Sequence, residues 1–208
     1  TIVVLGNLQC TGSAPLLIRG VRLIVNGSAQ FFDKTVLKDV SLFCRSKFVL
    51  GGEAQFSGDA LTLSDVLVYE KASMRDRGMI TVIRKEGTSG KKGRDSTAMT
   101  FQIDIADRAR MDGALVAIGG AQGVRTGPNT ALRGVVWTDG VVCHQGSLQG
   151  ALWARSVVDC RTMTTSTPGP GSQTENVLVG SIRRLENLDE HFLPFFLGEP
   201  RIVSWVER

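Results

Sequence analysis

Apolar and polar residues alternate along most of this chain with a period of two. Asp39-Val-Ser-Leu-Phe-Cys, Asp65-Val-Leu-Val-Tyr-Glu, Gly113-Ala-Leu-Val-Ala-Ile, Gly134-Val-Val-Trp-Thr and Gly150-Ala-Leu-Trp-Ala each open on Gly or Asp and then alternate apolar with small residues. That period puts successive side chains on opposite faces of a strand. The segments at Gly134 and Gly150 are near copies 16 residues apart. Such a spacing is too long for a hairpin strand and too short for a helix-pair repeat, and it fits one coil of a β-solenoid. With starts at 39, 65, 113, 134 and 150, the long gap from 65 to 113 reads as two coils or as one coil carrying an insertion.

A second pattern follows some of the first. Val25-Asn-Gly-Ser-Ala-Gln-Phe31, Leu50-Gly-Gly-Glu-Ala-Gln-Phe56, Ile105-Ala-Asp-Arg-Ala-Arg-Met111 and, more loosely, Val142-Cys-His-Gln-Gly-Ser-Leu148 read as strand, corner, next strand. Gly and Asn suit such corners because they adopt positive φ at low steric cost. Together these patterns predict an all-β, single-stranded parallel β-helix, right-handed and three-sided, with long loops and a C-terminal cap. Each strand would pair with its equivalent about 4.8 Å along the axis. Val66/Leu67/Val68, Leu115/Val116, Val135/Val136 and Leu152/Trp153 are candidate ladder members.

The β-helix is predicted to occupy residues 1–175, with mobile loops near 84–98 and 163–175, and Gly119 to Thr130 is expected to leave the coil. Residues 176–208 read as a strand, a short helix over Ile182 to His191, and an aromatic cap or docking tail. That tail holds Phe192, Phe195, Phe196 and Trp205, which with Trp137 and Trp153 are the candidate interaction residues. Trp137 and Trp153 would be either outward anchors or core members.

Composition narrows the functional field. The chain has 208 residues, suiting one domain, and only 6% are aromatic, so a slim aliphatic core with little room for rings is expected. The net charge of +4 is mild. The basic run Arg84, Lys85, Lys91, Lys92 and Arg94 sits in a polar Gly/Ser-rich stretch without interleaved aromatics, which argues against nucleic acid. No apolar run approaches the roughly 20 residues that span a bilayer, so membrane association would require a segment outside this sequence. Beginning at Thr1, the sequence reads as a piece of a longer protein.

Catalytic signals are sparse. His144 and His191 lie in contexts that suit structural or solvated roles. There is no Gly-x-Ser-x-Gly elbow, no His-Glu-x-x-His and no Walker-type loop. The run from Gly119 lacks the Lys-Ser/Thr ending of a phosphate cradle. Asp39 and Asp65 occupy the motif position held elsewhere by glycine, marking them as corner residues, and Asp59, Asp104, Asp107 and Asp112 lie near turns. Arg75, Asp76 and Arg77 form a charged corner, and Arg155 and Asp159 read as an exposed pair. No catalytic residue, cofactor site or metal site is assigned. Cys10, Cys44, Cys143 and Cys160 show no Cys-x-x-Cys pair, and the 16-residue alignment sets Cys143 opposite Asp159, so free thiols are expected.

Gly140, Val142, Gly146, Leu148, Gly150, Leu152, Ala154, Val157 and Val158 form a pattern that resembles bactofilins and related polymer-forming bacterial proteins. The resemblance implies a right-handed β-helix that assembles end to end into nucleotide-independent filaments and scaffolds envelope machinery. Uneven coils, interrupting loops and the aromatic tail depart from that pattern, pointing to a capped relative that forms the soluble part of an anchored envelope protein. The leading expectation is therefore a non-enzymatic scaffold or binding module with protein partners or self-association. A carbohydrate-binding or polysaccharide-degrading β-helix protein and a filament-forming protein are the alternatives.

Overall fold

The computed structural model describes residues 1–84, 101–159 and 182–183. Its strands, in chain order, are β1 (Ile2–Val4), β2 (Leu8–Cys10), β3 (Leu16–Arg19), β4 (Arg22–Val25), β5 (Ala29–Phe31), β6 (Thr35–Cys44), β7 (Phe48–Leu50), β8 (Gln55–Thr62), β9 (Val66–Val68), β10 (Ser73–Ile83), β11 (Ile103–Ile105), β12 (Arg110–Ile118), β13 (Gln122–Thr126), β14 (Ala131–Thr138), β15 (Val141–His144), β16 (Ser147–Trp153), β17 (Ser156–Asp159) and β18 (Ile182–Arg183). No helix occurs among the described residues. Even-numbered strands from β4 to β18, with β1 and β3, build a wide 10-stranded sheet, and odd-numbered strands from β5 to β17, with β2, build an 8-stranded one. Every pairing is parallel and joins a strand to its equivalent one coil away. The chain is a β-solenoid of about seven turns, as the alternation predicts.

Stacking equivalent residues produces continuous inward columns. Leu23, Leu42, Ala60, Ile80, Leu115, Val136 and Leu152 form one on the wide sheet. Phe31, Leu50, Val68, Ile105 and Thr126 form another on the narrow sheet. Most of these side chains are buried. Each fully buried Leu, Val or Phe contributes about 1.5–3 kcal/mol. Of the expected ladder members, Val66, Val68, Leu115, Val136 and Leu152 face inward, whereas Leu67, Val116, Val135 and Trp153 occupy alternate, outward positions.

The wide sheet folds along a glycine column. Gly134 pairs with Gly113 and Gly150 with Gly134, at φ of 148, 135 and 147 for Gly113, Gly134 and Gly150. A Cβ on Gly150 would overlap the Gly134 carbonyl oxygen, and one on Gly134 the Gly113 carbonyl oxygen. Glycine is thus demanded twice, by the left-handed backbone and by the close approach of the coil beneath. Earlier coils meet the same bend with Asp39 at φ 54, with Gly58, and with a bulge in which Asp76 and Arg77 take φ 59 and 56. The charged corner at residues 75–77 is therefore real.

A second corner links the narrow sheet back to the wide one. Asp33, Gly52, Glu70 and Asp107 all take left-handed φ there, and the amides of Thr35, Ala54, Ala72, Ala109 and Thr130 close the same turn onto the carbonyls of Phe32, Gly51, Tyr69, Ala106 and Gly127. The shared pattern at Leu50, Ile105 and Val142 marks this corner, as predicted. The one at Val25 does not, since it leads from β4 on the wide sheet into β5 on the narrow one.

Several expectations are corrected. Asp65 precedes β9 on the narrow sheet and does not belong to the glycine column, so the gap from 65 to 113 counts no whole coils. The expectation of one coil carrying an insertion holds instead from Ile80 to Leu115, which are register partners, with the extra residues between Ile83 and Ile103 where the loop near 84–98 is expected. Gly119 to Thr130 stays in the coil and supplies β13. Its glycines serve close packing: a Cβ at Gly123 would collide with the Thr138 side chain. The core also holds rings. Phe31, Phe48 and Phe56 are fully buried, with edge-on centroid separations of 6.3 and 5.4 Å. Ala29, Ala54 and Ala60 are small residues of the same buried cluster. Ile182–Arg183 is a strand paired to Leu148 and Gln149, not the start of a helix. Residues 85–100, 160–181 and 184–208 lie outside the described residues, with them most of both predicted loops and the tail.

Because the column is both left-handed and crowded, Gly134→Ala is expected to lower unfolding free energy in urea by about 3 kcal/mol, the sum of left-handed strain and an unrelieved backbone clash. Val135→Ala, one residue along on the outer face, should cost under about 1 kcal/mol. Equal, small losses for both would show that the column does not constrain the coil.

Candidate functional site

The outer surface of the rod differs from face to face. Beyond the glycine column, the outward positions of the wide sheet stack as Ile24, Phe43, Leu61, Thr81, Val116, Trp137 and Trp153. One flanking column runs Met79, Ala114, Val135 and Ala151, and the other carries Leu63, Ile83 and Ile118. Alternation would give water a polar row here, yet Thr81 is the one polar residue of the central column. Trp153 is 52% exposed, Leu63 39% and Ile83 37%. Trp137 and Trp153 are register partners at outward positions, so neither is an inward member of the core.

On the other half of the same sheet the outer surface is polar, with Lys38, Arg75, Arg110, Arg133 and Gln149 exposed. The narrow sheet is mixed. There Asp104 receives bonds from Arg125 Nε, at 2.8 Å, and from its Nη2, and the Arg125 guanidinium lies 5.8 Å from the centre of the Phe101 ring. Those bonds hold the guanidinium pKa above its ordinary value.

Of the acids weighed from the sequence, Asp39, Asp65, Asp104 and Asp107 are tied to the scaffold, as are Asp33, Glu70 and Asp139, which the sequence did not single out. Asp33 accepts the amide of Gly12 at 3.0 Å, Asp107 that of Glu70 at 3.2 Å, and Glu70 that of Gly52, so each side chain bonds a neighbouring coil. Asp139 takes the Gly119 amide at 2.9 Å. Asp65 pairs with Arg84, and Asp39 lies 3.6 Å from Arg19. A cleft of about 520 Å³ opens at the second corner, lined by Glu53, Glu70, Lys71, Asp107, Arg108 and Asn129 with Gly52. Its Lys71 is spent on Glu53, 3.2 Å away. No group of three or more His, Cys, Asp or Glu among the described residues is placed to hold a metal ion.

His144 is an inward, buried residue with Nδ1 2.8 Å from Thr126 Oγ1, and burial pushes its pKa below the ordinary 6.5. Cys10 and Cys44 are free thiols, both with pKa raised by burial. Cys143 is disulfide-bonded, which corrects the expectation of free thiols. The 16-residue spacing misplaces it: one residue is lost at the corner, and Cys143 lies opposite Val158, with His144 opposite Asp159. Arg155 is exposed, as expected; the Asp159 side chain, Cys160, His191, Phe192, Phe195, Phe196 and Trp205 lie outside the described residues. Alternation alone missed Leu61, Leu63, Met79, Ile83, Val116 and Val135 as surface residues. Their signal was the failure of alternation in Met79-Ile-Thr-Val-Ile83 and Ala114-Leu-Val-Ala-Ile118, where apolar residues fall on both faces of the strand.

No helix among the described residues is long and apolar enough to cross a membrane. The neutral His144 has a pH signature. Its folded pKa is depressed, so the unfolded chain takes up the proton first, and stability present above about pH 6.5 is lost as pH falls below it. Between pH 7.5 and 5.5 the thermal midpoint of the wild type should fall further than that of His144→Gln; parallel slopes would rule the effect out. Comparison with protein families, with curated proteins and with solved structures finds no match for this chain.

Proposed function

We propose that this chain is a non-enzymatic scaffold whose solenoid presents one apolar face to a protein partner in the bacterial envelope. The observation that carries this reading is the asymmetry of the wide sheet, whose outer surface is charged on one side of the glycine column and apolar on the other. Contiguous apolar patches of this kind mark docking surfaces on proteins. The fixed geometry of a stacked backbone sets the spacing of the outward columns in advance, which suits a partner whose apolar groups match that spacing. Commitment of Asp33, Glu70, Asp107 and Asp139 to amides, and of Asp65 and Asp104 to arginines, supports structural over proton-transfer use of those acids. The disulfide at Cys143 supports an oxidising compartment, and the resemblance to bactofilins supports a scaffold.

The test is a photo-crosslinking side chain at Val116, compared with one at Arg133 on the polar half, in cells of the native source. A defined protein should be captured at Val116 alone. Once purified, that protein should bind Thr81→Glu at least tenfold more weakly than wild type, while the thermal midpoint of the variant holds. Equal capture at both positions, or cleavage of polysaccharide by the purified chain, would sink the reading.

A further inference from the structure

Across the glycine column from the apolar face, the outer surface of the wide sheet carries a surplus of positive charge. Arg75 on β10, Arg110 on β12 and Arg133 on β14 are exposed on three successive coils, and Lys38 on β6 is exposed on the same half. At about 4.8 Å per coil the three arginines span about 10 Å along the axis. Among the described residues none of these four cations is held in a salt bridge, whereas Arg19 is paired with Asp39 and Lys71 with Glu53. Asp112, the register partner of Arg133, and Asp76 offset only part of the charge. Arginine dominates the row, and its planar fork matches a carboxylate with two parallel hydrogen bonds. Among the described residues the outward columns of this half hold no aromatic ring, which removes the platform that single-stranded nucleic acid needs.

The cleft at the second corner runs alongside this row. Glu53, Lys71, Arg108 and Asn129 line it from four successive coils, so its length follows the rod axis. Ala109 is fully buried between Arg108 and Arg110, which turns both arginines outward and brings row and cleft together. Its volume of about 520 Å³ falls within the roughly 300–1,000 Å³ of small-molecule sites. Glu70 and Asp107 each give one carboxylate oxygen to a backbone amide and keep the other as an acceptor. Arg108 and Asn129 supply donors beside them. Acids outnumber bases in this lining, which disfavours a densely charged phosphate chain and suits hydroxyl groups that both donate and accept.

We propose that an acidic polysaccharide, a chain of sugars bearing carboxylates, lies along the rod axis here, with its hydroxyls in the cleft and its carboxylates on Arg75, Arg110 and Arg133. The chain is held and not cut. This surface and the apolar face lie on opposite sides of the glycine column, so the two can be filled together and neither reading depends on the other.

Immobilised polygalacturonate or alginate should retain the purified chain at low salt and release it as ionic strength rises. Arg110→Glu and Arg133→Glu should each weaken that binding at least tenfold, with the thermal midpoint held. Asn129→Ala should weaken it several-fold through the cleft. Arg155→Glu, at the corner between β16 and β17, should leave it unchanged. Fully methyl-esterified polygalacturonate keeps hydroxyls but loses the charge, and should not retain the chain. Equal retention on that ester, tighter binding to duplex DNA or to anionic lipid vesicles at matched salt, an equal loss from Arg155→Glu, or no retention on either acidic polysaccharide would each overturn the proposal.

Discussion

Everything in this molecule follows from parallel pairing of each strand with its own equivalent one coil away. A strand spacing of about 4.8 Å leaves no freedom at tight places, so whatever one coil does at a given position the next must repeat or accommodate. The glycine column shows the constraint at its most severe. Backbone there passes so close to the carbonyl of the coil below that a single methyl group has nowhere to go. Where the repeat is relaxed, as at Asp76 and Arg77, the strand bulges and register shifts.

The same constraint explains the use of charge. Repeating a left-handed corner four times leaves backbone amides between coils whose hydrogen bonds must be made by side chains or by water. Asp33, Glu70 and Asp107 meet that need from adjacent coils. Aromatic clasping is a variation on it: Phe32 and Tyr69 approach to 6.3 Å across Gly51, where any side chain would strike both rings. Acids that resemble a dispersed catalytic set in the sequence are, in space, fasteners.

This explains what could be read from sequence. Gly134 and Gly150, Trp137 and Trp153, and the inward Leu115, Val136 and Leu152 were legible because a short, uninterrupted coil keeps spacing equal to register. Asp65 was misread because alternation is alike on both sheets and does not say which sheet a strand joins. Cys143 was misplaced because coil length changes at corners, where one lost residue reverses every assignment of face. Glycine density at Gly119 to Thr130 looked like an exit from the coil, while its cause is contact with Gln102, Thr138 and Arg84 in neighbouring coils. Those contacts are long-range and leave no local signature. The apolar face was equally hidden: a residue buried in a core and one displayed on a surface look the same in a run such as Ala114-Leu-Val-Ala-Ile118.

A solenoid separates shape from recognition more completely than a globular domain does. Inward columns and corners fix the rod, and they consume the glycines, most of the aliphatics and many of the acids. What is left for function is the outward residues, stacked in columns whose spacing the backbone sets in advance. Their energetics are therefore additive along the axis, one strand's contribution after another, and affinity can be tuned by changing the chemistry of a column without disturbing the fold. Thr81, the polar break in the apolar column between Leu61 and Val116, is the point where such tuning is visible in this chain. It divides the face into a Leu-rich part near Leu61 and Leu63 and a Trp-rich part near Trp137 and Trp153. An occupant lying along the axis would meet two apolar patches separated by a hydroxyl, a spacing that an extended segment with separated apolar clusters can match and a uniformly greasy surface cannot.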